Sequence, residues 1–164
     1  MMKIIGKITL MVVVAVTLVG CFKDTVAYTD YRIAVYTQPT KDSDYSRAEN
    51  LEAYAYYVDT TDWAIRSWED AVAGRITNKV SGEVLEQPDV SANFNYSDEY
   101  QLSLIINGEV SMLVLVDHDM QVYAYRKYQL PINLPQVDTK LYITGWKPSQ
   151  ASAGWRVVNP FYEK

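Results

Sequence analysis

YQLSLII (residues 100–106), then Asn107-Gly108, then EVSMLVLV (residues 109–116) read as two apolar strands about a turn. Asn-Gly between apolar runs is the strongest short-range hairpin signal, because both residues tolerate the positive φ that a type I′ turn requires. The second arm is continuously apolar from Met112 to Val116, which predicts a central strand covered on both faces. Asp117-His118-Asp119 makes the next turn and QVYAYRKY (121–128) returns. The expectation is a three-stranded meander that holds the core.

Strand signals continue on both sides of this meander. VSANFNY (90–96) alternates Val90, Ala92, Phe94 and Tyr96 against smaller polar residues. LEAYAYYVDT (51–60) places Leu51, Ala53, Ala55 and Tyr57 on one side and Tyr54, Tyr56 and Val58 on the other, again predicting two covered faces. VAYTDYRIAVYT (26–37) sets Tyr31, Ile33 and Val35 opposite Arg32, Ala34 and Tyr36, the period of a half-buried strand. Ser67 and Asp70 have capping-box spacing, and WEDAVAG (68–74) reads as a two-turn helix stopped by Gly74, with Trp68, Ala71 and Val72 along one side. Toward the C-terminus, LPINLPQVD (130–138) is an extended, polyproline-like crossover and KLYITGW (140–146) a strand. KPSQASAG (147–154) is a loop, and WRVVNPFY (155–162) carries the last strand. Seven or eight short strands, one short helix near residues 67–73 and no α/β alternation predict an all-β fold, an antiparallel β-sandwich.

The N-terminus follows another logic. Lys3 and Lys7 precede an apolar run from Ile8 to Val19, broken only by Thr9 and Thr17, and then Leu18-Val19-Gly20-Cys21. The run is too short for a comfortable bilayer span of roughly 20 residues and ends in a small residue before the one cysteine of the chain. This is a signal peptide (1–20) with a lipobox, Cys21 being the lipidation site. Residues 21–25 form a short tether and 26–164 a single domain. One cysteine permits no disulfide, and lipidation accounts for a thiol count that is odd in an exported chain. At about 0.8 kcal/mol per buried methylene, two or three acyl chains fix a protein to a leaflet.

Without residues 1–20 the chain keeps 144 residues, enough for a real core. Loss of Lys3 and Lys7 leaves thirteen basic side chains against twenty acids, a net charge near −7. Such a surface disfavours nucleic acid and basic-patch membrane binding, so the lipid is the membrane attachment. The fourteen tyrosines and four tryptophans suit strands and binding faces alike.

Signals for chemistry are sparse. Asp42 and Asp44 lack the glycine and closing glutamate of an EF-hand loop. His118, the one histidine, sits between two aspartates, but adjacent turn residues point in different directions and no second histidine completes a zinc site. There is no Gly-x-Ser-x-Gly, and paired carboxylates cannot be placed from spacing alone. The expectation is therefore no catalytic residues, no metal and no cofactor. The candidate ligand-binding aromatics are Trp63, Trp68, Trp146 and Trp155: exposed, they would form a stacking platform for sugar rings, and buried, they are core.

LEAYAYYVDT followed by GRITNKVSGEV (74–84) is similar to the prealbumin-like (transthyretin-like, Ig-like) β-sandwich repeats of bacterial surface proteins, a resemblance that covers roughly residues 26–86. With its lipobox, the whole chain resembles the small lipoproteins of Bacteroides-type cells. The resemblance implies a sandwich fold and a place in the cell envelope, lipid-anchored at the outer membrane, on its surface or periplasmic face. It implies no reaction. The functional expectation is a non-catalytic binding or accessory module for a glycan or an envelope protein. The alternatives are a structural or pilus/adhesin-assembly component, marked by an unpaired strand-accepting edge, and a hydrolase or hydrolase inhibitor, marked by a cleft with perturbed carboxylates or a rigid protruding loop.

Overall fold

The structure is a computed structural model that describes residues 28–59, 62–94, 99–107, 110–127 and 134–162. The lipobox residues Leu18, Val19 and Gly20, Cys21 and the tether lie outside these residues, as does Gly108. The described chain is mostly strand with one short helix, the expected all-β sandwich.

The front sheet contains β1 (Tyr28–Gln38), β2 (Ser46–Arg47), β8 (Asn93–Phe94), β9 (Leu102–Asn107) and β12 (Gln136–Thr144) in the order β12-β1-β9-β8, with β2 joined to β1. The back sheet contains β3 (Leu51–Tyr56), β7 (Val90–Ser91), β10 (Met112–Asp117), β11 (Val122–Lys127), β13 (Ser149–Ser152) and β14 (Trp155–Val158) in the order β13-β14-β11-β10-β3-β7. A small ribbon of β4 (Trp63–Ala64), β5 (Ile76–Asn78) and β6 (Val84–Leu85), with the helix α1 (Trp68–Ala73), makes a third layer.

Between the sheets pack Tyr31, Ile33 and Val35 of β1, Leu102, Leu104 and Ile106 of β9, and Leu51, Ala53, Ala55, Leu113 and Leu115 of the back sheet. A second cluster seals the other face of the back sheet: Tyr56, Met112, Val114, Val116 and Tyr123 meet Trp63, Ala71 and Ile76 of the third layer. Every residue of β10 is buried, and β3 divides its side chains between the two clusters as its alternation predicts. Burying apolar area on both faces, at about 25 cal/mol per Å², makes the back sheet the structural centre.

The helix is built by local chemistry. Ser67 Oγ accepts the Asp70 N–H (3.1 Å), and Gly74 ends the helix in the left-handed region at φ 66°. A Cβ there would lie 3.0 Å from Pro88 Cδ, so glycine is required twice over. The helix docks through Ala71 and Gly74, with Tyr56 donating its hydroxyl to Gly74 O (2.7 Å). This orientation turns Val72 to solvent while Ala71 is buried, so the two do not share one side as expected.

Three expectations of topology are corrected. The strands on either side of Asn107-Gly108 do not pair: β9 is antiparallel to β1 in the front sheet, while β10 lies between β3 and β11 in the back sheet. Only the second half of the meander, β10 to β11 through the Asp117-His118-Asp119 turn, is a hairpin. VSANFNY is likewise shared, β7 pairing with β3 and β8 with β9, so that the chain changes sheet at Ala92. Finally, β12 starts at Gln136 and runs parallel to β1, Asp30 to Gln38 beside Gln136 to Thr144, while all other pairs described are antiparallel. Residues 149–152, expected as loop, form β13 on β14.

Candidate functional site

The parallel pairing of β1 and β12 creates a surface that neither strand announces alone. Alternation sends Tyr31, Ile33 and Val35 inward, so Arg32, Ala34 and Tyr36 face outward. On β12, Leu141 and Ile143 are buried between the sheets, and Lys140 and Tyr142 face out. The register sets Tyr36 beside Tyr142 and also beside Arg47 of β2. The Tyr36 and Tyr142 rings stack, centroids 5.2 Å apart and 15° from parallel, and Tyr45 meets Tyr142 edge-on at 5.4 Å and 90°. Tyr142 is 48% and Tyr45 43% exposed.

A polar border adjoins this aromatic group. Arg32 Nε donates to Asp138 Oδ1 (3.0 Å), and Lys140 donates to Glu99, a bond that holds the ammonium charged above its ordinary range. The Tyr100 ring lies 5.1 Å from the Arg32 guanidinium and 6.0 Å from the Lys140 nitrogen. Each of these cations is matched by a carboxylate, so the face is polar and aromatic without a strong net charge. Flat aromatic faces with hydroxyl rims, bordered by paired donors and acceptors, can stack on the C–H face of a sugar and hydrogen-bond its hydroxyls.

The four candidate tryptophans do not form this surface. Trp155 is buried between the sheets, and Trp63 is buried in the second cluster, so these two belong to the core and not to a platform. Their strands alternate, and both indoles fall on the covered side. Trp68 is half-buried; it docks α1 on the back sheet and meets the His118 ring edge-on at 6.1 Å. Trp146 is half-buried in the turn after β12. Sequence reasoning counted the tyrosines as suited to binding faces but did not single out Tyr36, Tyr45, Tyr100 and Tyr142. The signal was present only in part: Tyr36 and Tyr142 occupy outward positions of alternating strands, but their adjacency depends on a pairing across 106 positions.

The Asp117-His118-Asp119 turn is an anchoring device. Asp117 is buried, its Oδ1 accepting the N–H groups of Asp119 (3.1 Å) and Met120 (3.0 Å) while Oδ2 has no hydrogen-bond partner. His118 Nε2 lies 3.3 Å from Glu52 Oε2, an oxygen that also accepts the Tyr54 hydroxyl, so the turn is tied to β3. Among the described residues, no three His, Cys, Asp or Glu side chains converge as a metal would need. A cleft of about 410 Å³ beside the turn is lined by Asp117, Asp119 and Glu49 among others. Two turn N–H groups thus hold Asp117 Oδ1.

Burial pushes the Asp117 carboxyl above its ordinary range, against the pull of the Met120 N–H and with the Asp119 charge adding to the rise. Between the unfolded and the raised folded pKa, the native state holds more proton than the unfolded chain. The contribution of Asp117 to stability therefore grows as pH falls through that window and is lost as pH rises through the folded pKa. Asp117→Asn keeps an acceptor for the two N–H groups and removes the buried charge. Its expected results are a higher Tm than wild type at neutral pH and a smaller gain on mild acidification, both read by thermal melts. A lower Tm at neutral pH would show that the charge itself is stabilised.

Among the described residues, no helix is long and apolar enough to cross a membrane. Comparison of the chain with protein-family models, with curated proteins and with solved structures gives no match.

Proposed function

We propose that this chain is a lipid-anchored envelope protein that binds a glycan on the outer face of its front sheet and does not turn over a substrate. The observation that carries this reading is the group of exposed Tyr142 and Tyr45 with half-buried Tyr36, bordered by Tyr100, Arg32 and Lys140, on a sheet whose opposite side is firmly packed. Rigid strands hold the rings in place, so little side-chain entropy is lost on binding. Attachment rests on Cys21, with the tether presenting the domain at the outer membrane.

The test is a glycan array probed with the full chain in neutral detergent micelles. Binding to at least one polysaccharide class is expected, together with at least a tenfold loss in the Tyr36→Ala/Tyr142→Ala variant, whose circular dichroism should match wild type. No binding to any polysaccharide would overturn the glycan reading. The anchor is tested separately: radiolabelled palmitate should enter the wild-type product and not Cys21→Ser, and label retained by that variant would remove the lipid from the account.

A second reading, an assembly component joined by strand addition, draws on β12, whose stretch Gln136–Leu141 pairs with β1 alone among the described residues. Two features oppose it. Asp138 and Lys140 place charge along the edge. Beyond them the edge is closed by side chains: Ser152 Oγ accepts the Tyr142 N–H (2.9 Å), and Gln150 Nε2 donates to Thr144 O (3.0 Å).

A further inference from the structure

Exposed apolar side chains gather where the front sheet begins: Tyr28 is 62%, Leu134 59% and Ile105 47% exposed. Inward placement of Leu104 and Ile106 leaves Ile105 on the outer face of β9, and the register pairs Tyr28 with Asn107 and Asp30 with Ile105. Tyr28 and Ile105 are therefore diagonal neighbours on that face. Leu134 flanks β1 on its other side. Its carbonyl accepts the Thr29 hydroxyl (2.5 Å), and that of exposed Pro135 accepts the Asp30 N–H (3.0 Å). The patch ends at Asp30, whose Oδ1 accepts the Ser103 hydroxyl (2.5 Å) and whose Oδ2 lies 4.0 Å from Arg32 Nε. From Tyr28 to Asp30 the strand climbs about 7 Å.

The same sheet exposes Tyr45 and Tyr142 toward its far end, so exposure alone does not say what either end meets. The path of the chain does. Cys21 stands seven residues before Tyr28, and seven residues reach at most about 25 Å when fully extended. With Cys21 acylated, β1 starts within that distance of the leaflet, and the apolar end is the one turned toward it. So short a link makes a second contact intramolecular, at an effective concentration in the millimolar range. A patch too small to hold a membrane from solution then suffices. Tyrosine suits the membrane–water boundary, its ring among apolar groups and its hydroxyl among headgroups. An apolar height of about 7 Å matches the roughly 5–10 Å to which interfacial segments sink.

We infer that this end of the front sheet, through Tyr28, Ile105 and Leu134, seats on the surface of the leaflet that holds the lipid, with the strands standing away from the membrane. This seat rests on the acylation of Cys21 proposed above. Its headgroups are neutral ones, because a chain with a net charge near −7 is repelled by anionic lipid. β1 rises about 3.3 Å per residue, so Tyr36 stands up to roughly 26 Å above Tyr28. The tyrosine face is thereby held clear of the headgroups, where a polysaccharide can reach it.

The test uses the full lipidated chain in phosphatidylcholine vesicles whose acyl chains carry a nitroxide quencher. With the Cys21 sulfur blocked, Pro135→Cys, or Lys41→Cys in the exposed loop after β1, offers the one thiol for a fluorophore. The label at position 135 should be quenched at least threefold more than the label at 41. Adding Tyr28→Ser/Ile105→Ser/Leu134→Ser should bring quenching at 135 down to the level at 41, with the chain still on the vesicles and its circular dichroism unchanged. That step separates a seat from the mere nearness of a tether. Tenfold dilution of the chain in the membrane should leave the quenching as it was. Equal quenching at the two positions, or quenching that survives the triple substitution, would overturn the inference and leave the anchor standing. Quenching lost on dilution would do the same, assigning the patch to a second copy. A chain that does not stay with the vesicles overturns anchor and seat together, and absence of palmitate from the product identifies that case.

Discussion

Trp155→Ala lowers the free energy of unfolding by about 3–5 kcal/mol, the range for removing a large aromatic side chain from a packed core. The corresponding fall in Tm is roughly 6–20 °C for a domain of this size. Trp155 is 1% exposed, and its indole lies against Tyr31, centroids 6.3 Å apart and 54° from parallel. Tyr31 cannot swing into the space left behind, because its own hydroxyl is hydrogen-bonded to Thr139 Oγ1 (2.9 Å) across the sheet. The cavity would therefore persist, and its walls would lose their dispersion contacts outright. The indole Nε1 is buried without a hydrogen-bond partner. Trp155→Phe removes that unpaired donor along with part of the ring system, so its loss is expected to be smaller, about 1–2 kcal/mol. Urea unfolding of both variants checks the pair. An alanine variant within about 0.5 kcal/mol of wild type would place Trp155 at the surface.

That placement could have been drawn from the sequence, since Trp155 and Val157 share one side of an alternating strand and Val157 has no reason to face water. The same local logic made much of the fold legible. A continuous apolar run gave the twice-covered β10, alternation divided β3 between two clusters, and Ser67, Asp70 and Gly74 bounded the helix. Each of these features reports the surroundings of a residue through its neighbours in the chain.

Pairing across the chain was less legible, and Asn107-Gly108 shows why. Asn-Gly marks where positive φ is tolerated; it does not dictate whether the strands on either side bond to each other or part into opposite sheets. The better clue lay in the arms. Leu102, Leu104 and Ile106 alternate with Ser103 and Asn107, as suits a sheet with one covered face, whereas Met112–Val116 has no polar residue at all. Two strands with such different demands belong in sheets with different covering. The tyrosine face was hidden for a stronger reason: nothing in the local sequence of β1 or β12 says that Tyr36 and Tyr142, 106 positions apart, become lateral neighbours.

Gln101 is the residue whose role local pattern concealed most fully, and Gln101→Leu is expected to cost about 2–4 kcal/mol. The long strand β1 pairs with β9 only as far as Ile33 and with β2 only from Tyr36, which leaves Val35 between the two without a strand partner on that side. Gln101, 3% exposed, fills the gap with its side-chain amide. Oε1 accepts the Val35 N–H (3.0 Å), and Nε2 donates to Val35 O (2.9 Å) and Ala48 O (3.0 Å), as a strand backbone would. Leucine matches the volume but leaves the Val35 N–H and the Ala48 carbonyl without these partners in a buried place. Val35 O keeps its bond from Ala48 N (2.9 Å), so two orphaned groups set the magnitude. Gln101→Glu separates hydrogen bonding from packing. Its carboxylate would set a charged oxygen against two carbonyl oxygens, so the variant should be weak at neutral pH and recover part of its stability on acidification, when protonation restores one donor. The leucine variant should show no such recovery. Urea midpoints at neutral and mildly acidic pH distinguish the two, and a leucine variant within about 0.5 kcal/mol of wild type would show the amide to be dispensable. The same bonds fasten Ala48 and the short β2 segment before it to β1, and Tyr45 immediately precedes β2. Loss of the Gln101 amide should therefore loosen Tyr45 from the edge of Tyr142, weakening the glycan binding proposed for the front face.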